Sequence, residues 1–167
     1  GADLVDGLLL AEVQHDTFTV TLEVAVAPER VYEAFADPVV RRRWFRLPGR
    51  DATYEHDFRV GGGESARSTF RALDGTTERL AYDSRFVDLV PAQRIVLAYE
   101  TRVDDVLRWT ALVTVALDPT DEGTRLRWTE QVTFVTPTGD GTHDLPHVRG
   151  GIRLQLNGLP GALGLPR

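Results

Sequence analysis

The segment from Phe18 to Phe45 limits the available folds most sharply. Phe18, Val20, Leu22, Val24 and Val26 alternate with Thr19, Thr21 and Glu23, the period of a strand with one buried face. Beyond Val26 the period changes. Pro28 suits a first helical position, because that N–H has no intrahelical partner. Glu29 lies where the helix dipole favours a carboxylate. Val31, Ala34 and Phe35 form an i, i+3, i+4 apolar face, and Pro38 disfavours helix at Asp37 and ends the element. Arg41-Arg42-Arg43-Trp44-Phe45 then reads as a second short helix. A strand running straight into two short helices, followed by many strands and one final helix, fits a sheet wrapped around a cavity. Such a chain is expected to hold a small molecule rather than a nucleic acid or a membrane.

The strands that follow are marked by their breaks. Thr53 to Val60 alternates and stops at Gly61-Gly62-Gly63; Ser65 to Leu73 stops at Asp74-Gly75, a turn signal. Ala81 to Val90 ends at Pro91, and Ile95 to Val103 ends at Asp104-Asp105. Leu107 to Leu117 is followed by a loop over 118–123, and Thr124 to Val135 is the last strand. Gaps this short join antiparallel neighbours in a meander, not βαβ units. At the end the period changes again. Val148, Ile152, Leu156, Leu159 and Leu163 share one helix face. Gly150, Gly151 and Gly158 weaken that helix, Pro160 should kink or end it, and glycines there let a sheet or a ligand come close. Residues 1–16 read as a tail or strand extension, with Leu8 to Leu10 the only apolar run, and residues 17–167 as a single domain.

Composition removes several chemistries. The chain of 167 residues contains no cysteine, which excludes disulfides, thiolate nucleophiles and Cys-ligated zinc. All 19 basic residues are arginine, so Schiff-base and P-loop lysine chemistry are excluded. A net charge of −6 argues against a nucleic-acid surface. No stretch has the length of a membrane span or the form of a secretory leader, and the expectation is a cytoplasmic protein. Arg41 to Arg43 is the one tight basic run; it reads first as a solvated helix face and second as a local anion site.

An ordered set of positions resembles a known family. It comprises Ala27-Pro28 with Val31 and Phe35, Asp37-Pro38, Arg43-Trp44-Phe45, and Asp57-Phe58-Arg59-Val60-Gly61-Gly62. It continues through Tyr82, Val90-Pro91, Arg94-Ile95-Val96, Tyr99-Glu100, Gly123-Thr124-Arg125-Leu126, Thr129-Glu130-Gln131, Gly151 and Arg153. Over residues 17 to 163 the chain resembles bacterial SRPBCC proteins of the activator of Hsp90 ATPase homologue-like branch, within the START and birch-pollen-allergen superfamily. The resemblance implies an α+β helix-grip fold. That is a curved antiparallel sheet of about seven strands, two short helices after the first strand, and a C-terminal helix over the concave face. It also implies a ligand cavity between that helix and the sheet, but no single reaction. The superfamily includes lipid and hormone binders, polyketide cyclases and co-chaperone domains.

Within that frame Leu126, Trp128, Glu130, Val132 and Phe134 share a strand face, so Glu130 should point inward with the large apolar residues. A carboxyl there either acquires a raised pKa, as a general acid or base needs, or bonds an arginine or the terminal helix. Leu107, Trp109, Ala111 and Val113 form a second inward row, and Ile95, Leu97 and Tyr99 a third. Trp109 and Trp128 could stack on a flat ligand, or simply pack the core, and Tyr99 could orient a carbonyl or bond the backbone. Tyr54, His56, Phe58 and Val60 alternate together, so His56 reaches the cavity or stays a bonded core histidine. Trp44 is either a cavity wall or a helix anchor. His143 and His147 lack the further ligand that a zinc site needs, and Pro146 is expected to break the helix between them. The expected ligand-binding set is therefore Trp44, Phe58, Leu97, Tyr99, Trp109, Ala111, Trp128, Glu130, Ile152 and Leu156. The candidates for proton transfer are Glu130 and His56, and no metal or cofactor is expected. The expected partner is a small hydrophobic molecule, aromatic or lipid-like, and a homodimer is compatible with the sequence. The alternatives are a polyketide cyclase or dehydratase in the same cavity, and a chaperone partner docking through Arg41 to Arg43.

Overall fold

A computed structural model describes residues 4–5, 8–9 and 12–166. Strands β1 (Leu4–Val5) and β2 (Leu8–Leu9) form a small antiparallel ladder of their own. Leu10, the end of the expected apolar run, lies outside the described residues. Then follow β3 (Gln14–Val24), α1 (Pro28–Ala36), α2 (Pro38–Trp44), β4 (Arg50–Asp57), β5 (Gly63–Arg71) and β6 (Thr77–Val90). The chain continues with β7 (Arg94–Val103), β8 (Val106–Thr120), β9 (Gly123–Phe134), α3 (Asp144–Asn157) and the single turn α4 (Leu159–Ala162). The seven long strands make one antiparallel sheet in the order β3-β9-β8-β7-β6-β5-β4. This is the α+β helix-grip architecture: a curved meander closed by its own first strand, with α1 and α2 crossing between the two edges. Among the described residues no helix is long and apolar enough to cross a membrane.

Local chemistry accounts for the helix pair. Pro28 opens α1, and Val31, Ala34 and Phe35 are its buried face. Asp37 closes α1 and opens α2, its carboxylate accepting from the Val39 N–H at 2.8 Å. Trp44 anchors the pair by donating its indole N–H to the Ala34 carbonyl at 3.0 Å, with its ring edge-on to Phe35.

The strand limits follow the turns. Asp104 and Asp105 both have positive φ, 50° and 66°, the geometry of a two-residue hairpin whose twist suits the flanking strands. The loop expected over 118–123 is shorter, because β8 continues to Thr120 and pairs with Gly123. β4 ends at Asp57 rather than Val60. Backbone bonds from Arg59 N–H to Asp57 and from Gly62 N–H to Arg59 curl the chain there before Gly63 starts β5.

Pro146 does not interrupt the last helix, contrary to expectation. It occupies the first turn of α3, where a backbone N–H has no intrahelical acceptor. Val148, Ile152 and Leu156 are buried, and Leu159 and Ala162 extend the apolar contact past Gly158. α3 stops at Asn157, ahead of Pro160.

Gly123 is required where β9 begins. Its φ is 147°, and a Cβ there would stand 2.2 Å from the Val24 carbonyl oxygen. Gly123→Ala should destabilise the protein by more than about 1 kcal/mol, measured by urea unfolding.

Candidate functional site

A cavity of about 610 Å³ lies between α3, the segment from Phe45 to Pro48, and the inner face of the sheet. Tyr82, Tyr99, Trp109, Trp128 and Phe134 supply its aromatic wall from the strands, and Val148 and Ile152 close it from the helix. Gly151 also faces it, and a Cβ at that position would meet open space. Exposed Arg46 and His147 and half-buried Glu78 and Arg108 stand around the mouth, a rim of mixed charge.

Of the residues expected to touch a ligand, Tyr99, Trp109, Trp128 and Ile152 line this cavity. Leu97, Ala111 and Leu156 do not; they pack in the core around it. Trp44 is the anchor described above. Phe58 lies outside too, its ring against Tyr32, His56 and Phe86. His56 turns away from the cavity: its Nε2 donates to the Phe35 carbonyl at 2.9 Å, at the C-terminal end of α1. Its position on edge strand β4 places it beneath that helix end, beside a shallow surface groove rather than the interior. Among the described residues no His, Asp or Glu cluster could hold a metal ion.

Glu130 points inward as the alternation requires and is fully buried. Its partners are neither an arginine nor the terminal helix. Tyr99 donates its hydroxyl to Oε2 at 2.6 Å, and the Trp128 indole donates to Oε1 at 3.0 Å. The Trp109 indole in turn donates to the Tyr99 hydroxyl at 3.1 Å. Burial raises the Glu130 pKa above the ordinary carboxyl range, although the two donated bonds oppose the shift. Burial and the adjacent carboxyl push the Tyr99 hydroxyl well above its usual value. Glu130 is absent from the cavity wall itself. It stands behind Tyr99 and Trp128 and fixes the orientation of three aromatic side chains that do line the cavity.

Arg41 overturns the reading of the basic run as a solvated face. Arg42 and Arg43 are exposed, but Arg41 is 1% exposed and forms part of the cavity wall. Its guanidinium grips Glu64 through Nε at 2.8 Å and Nη2 at 3.1 Å, a bidentate pair. Nη1 donates to Gln155 Oε1 of α3 at 3.3 Å. The rings of Trp44 and Phe45 lie 4.3 Å and 4.4 Å from its central carbon. Tyr54 donates to Glu64 as well. Burial alone would raise the Glu64 pKa, but the charge and hydrogen bonds of Arg41 hold it below the ordinary range. For Arg41, burial works toward a lower pKa, and the Glu64 carboxylate more than restores it. A sequence signal existed: Trp44 and Phe45 are i+3 and i+4 from Arg41, one face of α2, whereas Arg42 and Arg43 fall elsewhere. Glu64 shares the inward row of β5 with Ala66 and Ser68, all buried.

A curved sheet gripping a helix defines a helix-grip domain. The chain belongs to the activator of Hsp90 ATPase homolog 1-like protein family, whose model matches residues 25–164. Similar solved structures come from the same fold. An uncharacterized protein from Rhizobium leguminosarum is 32% identical over 92% of this chain and 97% of its own, with a TM-score of 0.78. A protein from Rhizobium loti is 38% identical over 90% and 99%, with a TM-score of 0.76. One from Chromobacterium violaceum is 29% identical over 87% and 95%, with a TM-score of 0.61. No curated protein matches the chain.

Two outcomes follow from the buried acids. Glu64→Ala leaves the Arg41 charge without its partner and should cost about 3–5 kcal/mol in urea unfolding, whereas Arg42→Ala should stay within about 0.5 kcal/mol. For Glu130 the sign is opposite to that of a paired carboxylate. Its folded pKa is raised, so the native state keeps a proton that the unfolded chain has lost, and stability falls as pH climbs through that window. Glu130→Gln lacks this loss. Its stability relative to the parent should therefore improve as pH rises above about 4.3, read from urea midpoints across a pH series.

Proposed function

We propose that the protein binds one small, largely apolar molecule, with an aromatic portion, between α3 and the sheet. The observation that carries this reading is the aromatic wall of Tyr82, Tyr99, Trp109, Trp128 and Phe134 around about 610 Å³ of space. That volume suits a drug-sized ligand. Removing such a ligand's apolar surface from water contributes roughly 25 cal/mol per Å². Indole and phenol groups already tied to Glu130 offer their ring faces without first breaking hydrogen bonds to water.

A second reading, proton transfer in a cyclase or dehydratase, draws on the Tyr99 hydroxyl. It lies on the cavity wall in direct hydrogen bond with Glu130, so the acid would reach a substrate only through the phenol. The chaperone-partner reading is weaker, because Arg41 is buried and only Arg42 and Arg43 remain for a docking patch.

Native mass spectrometry of protein purified from its own host should detect a co-purifying small molecule. Added 2-ethylnaphthalene should quench tryptophan fluorescence saturably, and Trp109→Ala should weaken its binding about tenfold. Absence of both a co-purifying mass and saturable quenching would refute the cavity reading.

A further inference from the structure

Two side chains of the cavity wall, Arg41 and Gln155, carry more N–H groups than the protein acceptors they meet. Arg41 and Gln155 both line the cavity, from α2 and α3 respectively. Glu64 takes two of the five guanidinium N–H groups and Gln155 takes one. Arginine has no acceptor, so the Gln155 amide presents its oxygen to Arg41 and turns its NH2 group elsewhere. Gln155 is half-buried, so its NH2 group is open to water or to a ligand. The nearby carboxylates are already engaged: Glu64 with Arg41 and Tyr54, Glu130 with Tyr99 and Trp128. Much of the remaining wall is aromatic or aliphatic, with the charged residues at the mouth. Donor-bearing side chains from two helices thus border a space rich in ring faces.

Resting on the reading that this cavity takes a small molecule, we infer that its ligand is an aromatic compound bearing a neutral carbonyl group. The carbonyl oxygen accepts hydrogen bonds from Arg41 and from Gln155 Nε2, and the ring system lies against Trp109 and Trp128. A carboxylate suits the site less well. Glu64 already balances the Arg41 charge, so an anionic group set against Arg41 would bring negative charge that the buried pair does not match. A hydrocarbon alone would leave the donors without partners.

Three probes of matched shape separate these cases by calorimetric titration of the intact chain: 2-acetylnaphthalene, 2-ethylnaphthalene and 2-naphthoate. The ketone should bind at least roughly tenfold more tightly than the hydrocarbon, and the carboxylate should bind less tightly than the ketone. Gln155→Leu should weaken the ketone more than it weakens 2-ethylnaphthalene, removing most of the ketone's advantage. Gln155→Glu, which keeps an acceptor for Arg41 but removes the amide donors, should do the same. Equal binding of ketone and hydrocarbon, or tighter binding of the carboxylate, would overturn the carbonyl assignment and leave the cavity reading standing. Failure of all three probes to bind, together with no co-purifying mass, would overturn both.

Discussion

The buried ion pair between Arg41 and Glu64 is the constraint on which the rest of the interior depends. Taking two charges out of water is costly, and only close, complete geometry offsets that cost. The geometry here recruits four elements. α2 supplies the guanidinium and β5 the carboxylate; Tyr54 of β4 and Gln155 of α3 contribute further hydrogen bonds. Trp44 and Phe45 cover the cation with their ring faces. A shift of α2, of the β4–β5 edge or of α3 breaks a bond in a dry place. The pair therefore sets where the closing helix stands over the sheet, and with it the depth of the cavity.

The second buried acid obeys the same physics with the opposite result. Glu64 faces a cation and is held ionised; Glu130 faces two neutral donors and is pushed toward its protonated form. The two groups flank one cavity and divide the work there. The charged pair locks helices to the sheet edge, and the other acid orients the indoles and phenol of the central strands. Both leave the interior close to neutral despite the acidic surface of the chain.

Much of this was legible from spacing. Period-two alternation placed Glu130, Tyr99, Trp109 and Trp128 on the inner face, and the change to helical period located Val148, Ile152 and Leu156. Alternation names a face but not a depth. Leu97, Ala111 and Leu156 share faces with lining residues, yet they pack beneath or beside the cavity, because sheet curvature and helix placement decide which inward positions meet space. For His56 the pattern left two readings, cavity or bonded histidine, and only the fold, with edge strand β4 passing under the end of α1, selects the bonded one. Arg41 was hidden by its neighbours. Three consecutive arginines look alike in composition, and only the aromatic pair at i+3 and i+4, together with a distant glutamate, distinguishes the buried one.

The pairing of β3 with β9 carries a consequence for how this chain is made. Val24 meets Thr124 and Gln14 meets Phe134, partners about a hundred residues apart or more, whereas β4 to β8 each pair with the next strand in order. Ribosomal synthesis delivers β3 before the other six strands of this sheet, and β9, its one sheet neighbour among the described residues, nearly last. Until then an apolar strand with unpaired backbone groups waits in the open, where a copy from a neighbouring polysome could capture it. The alternating threonines Thr17, Thr19 and Thr21 keep its other face polar during that wait, and the late, long-range zipping of this one ladder is the step expected to limit how quickly the domain reaches its native form.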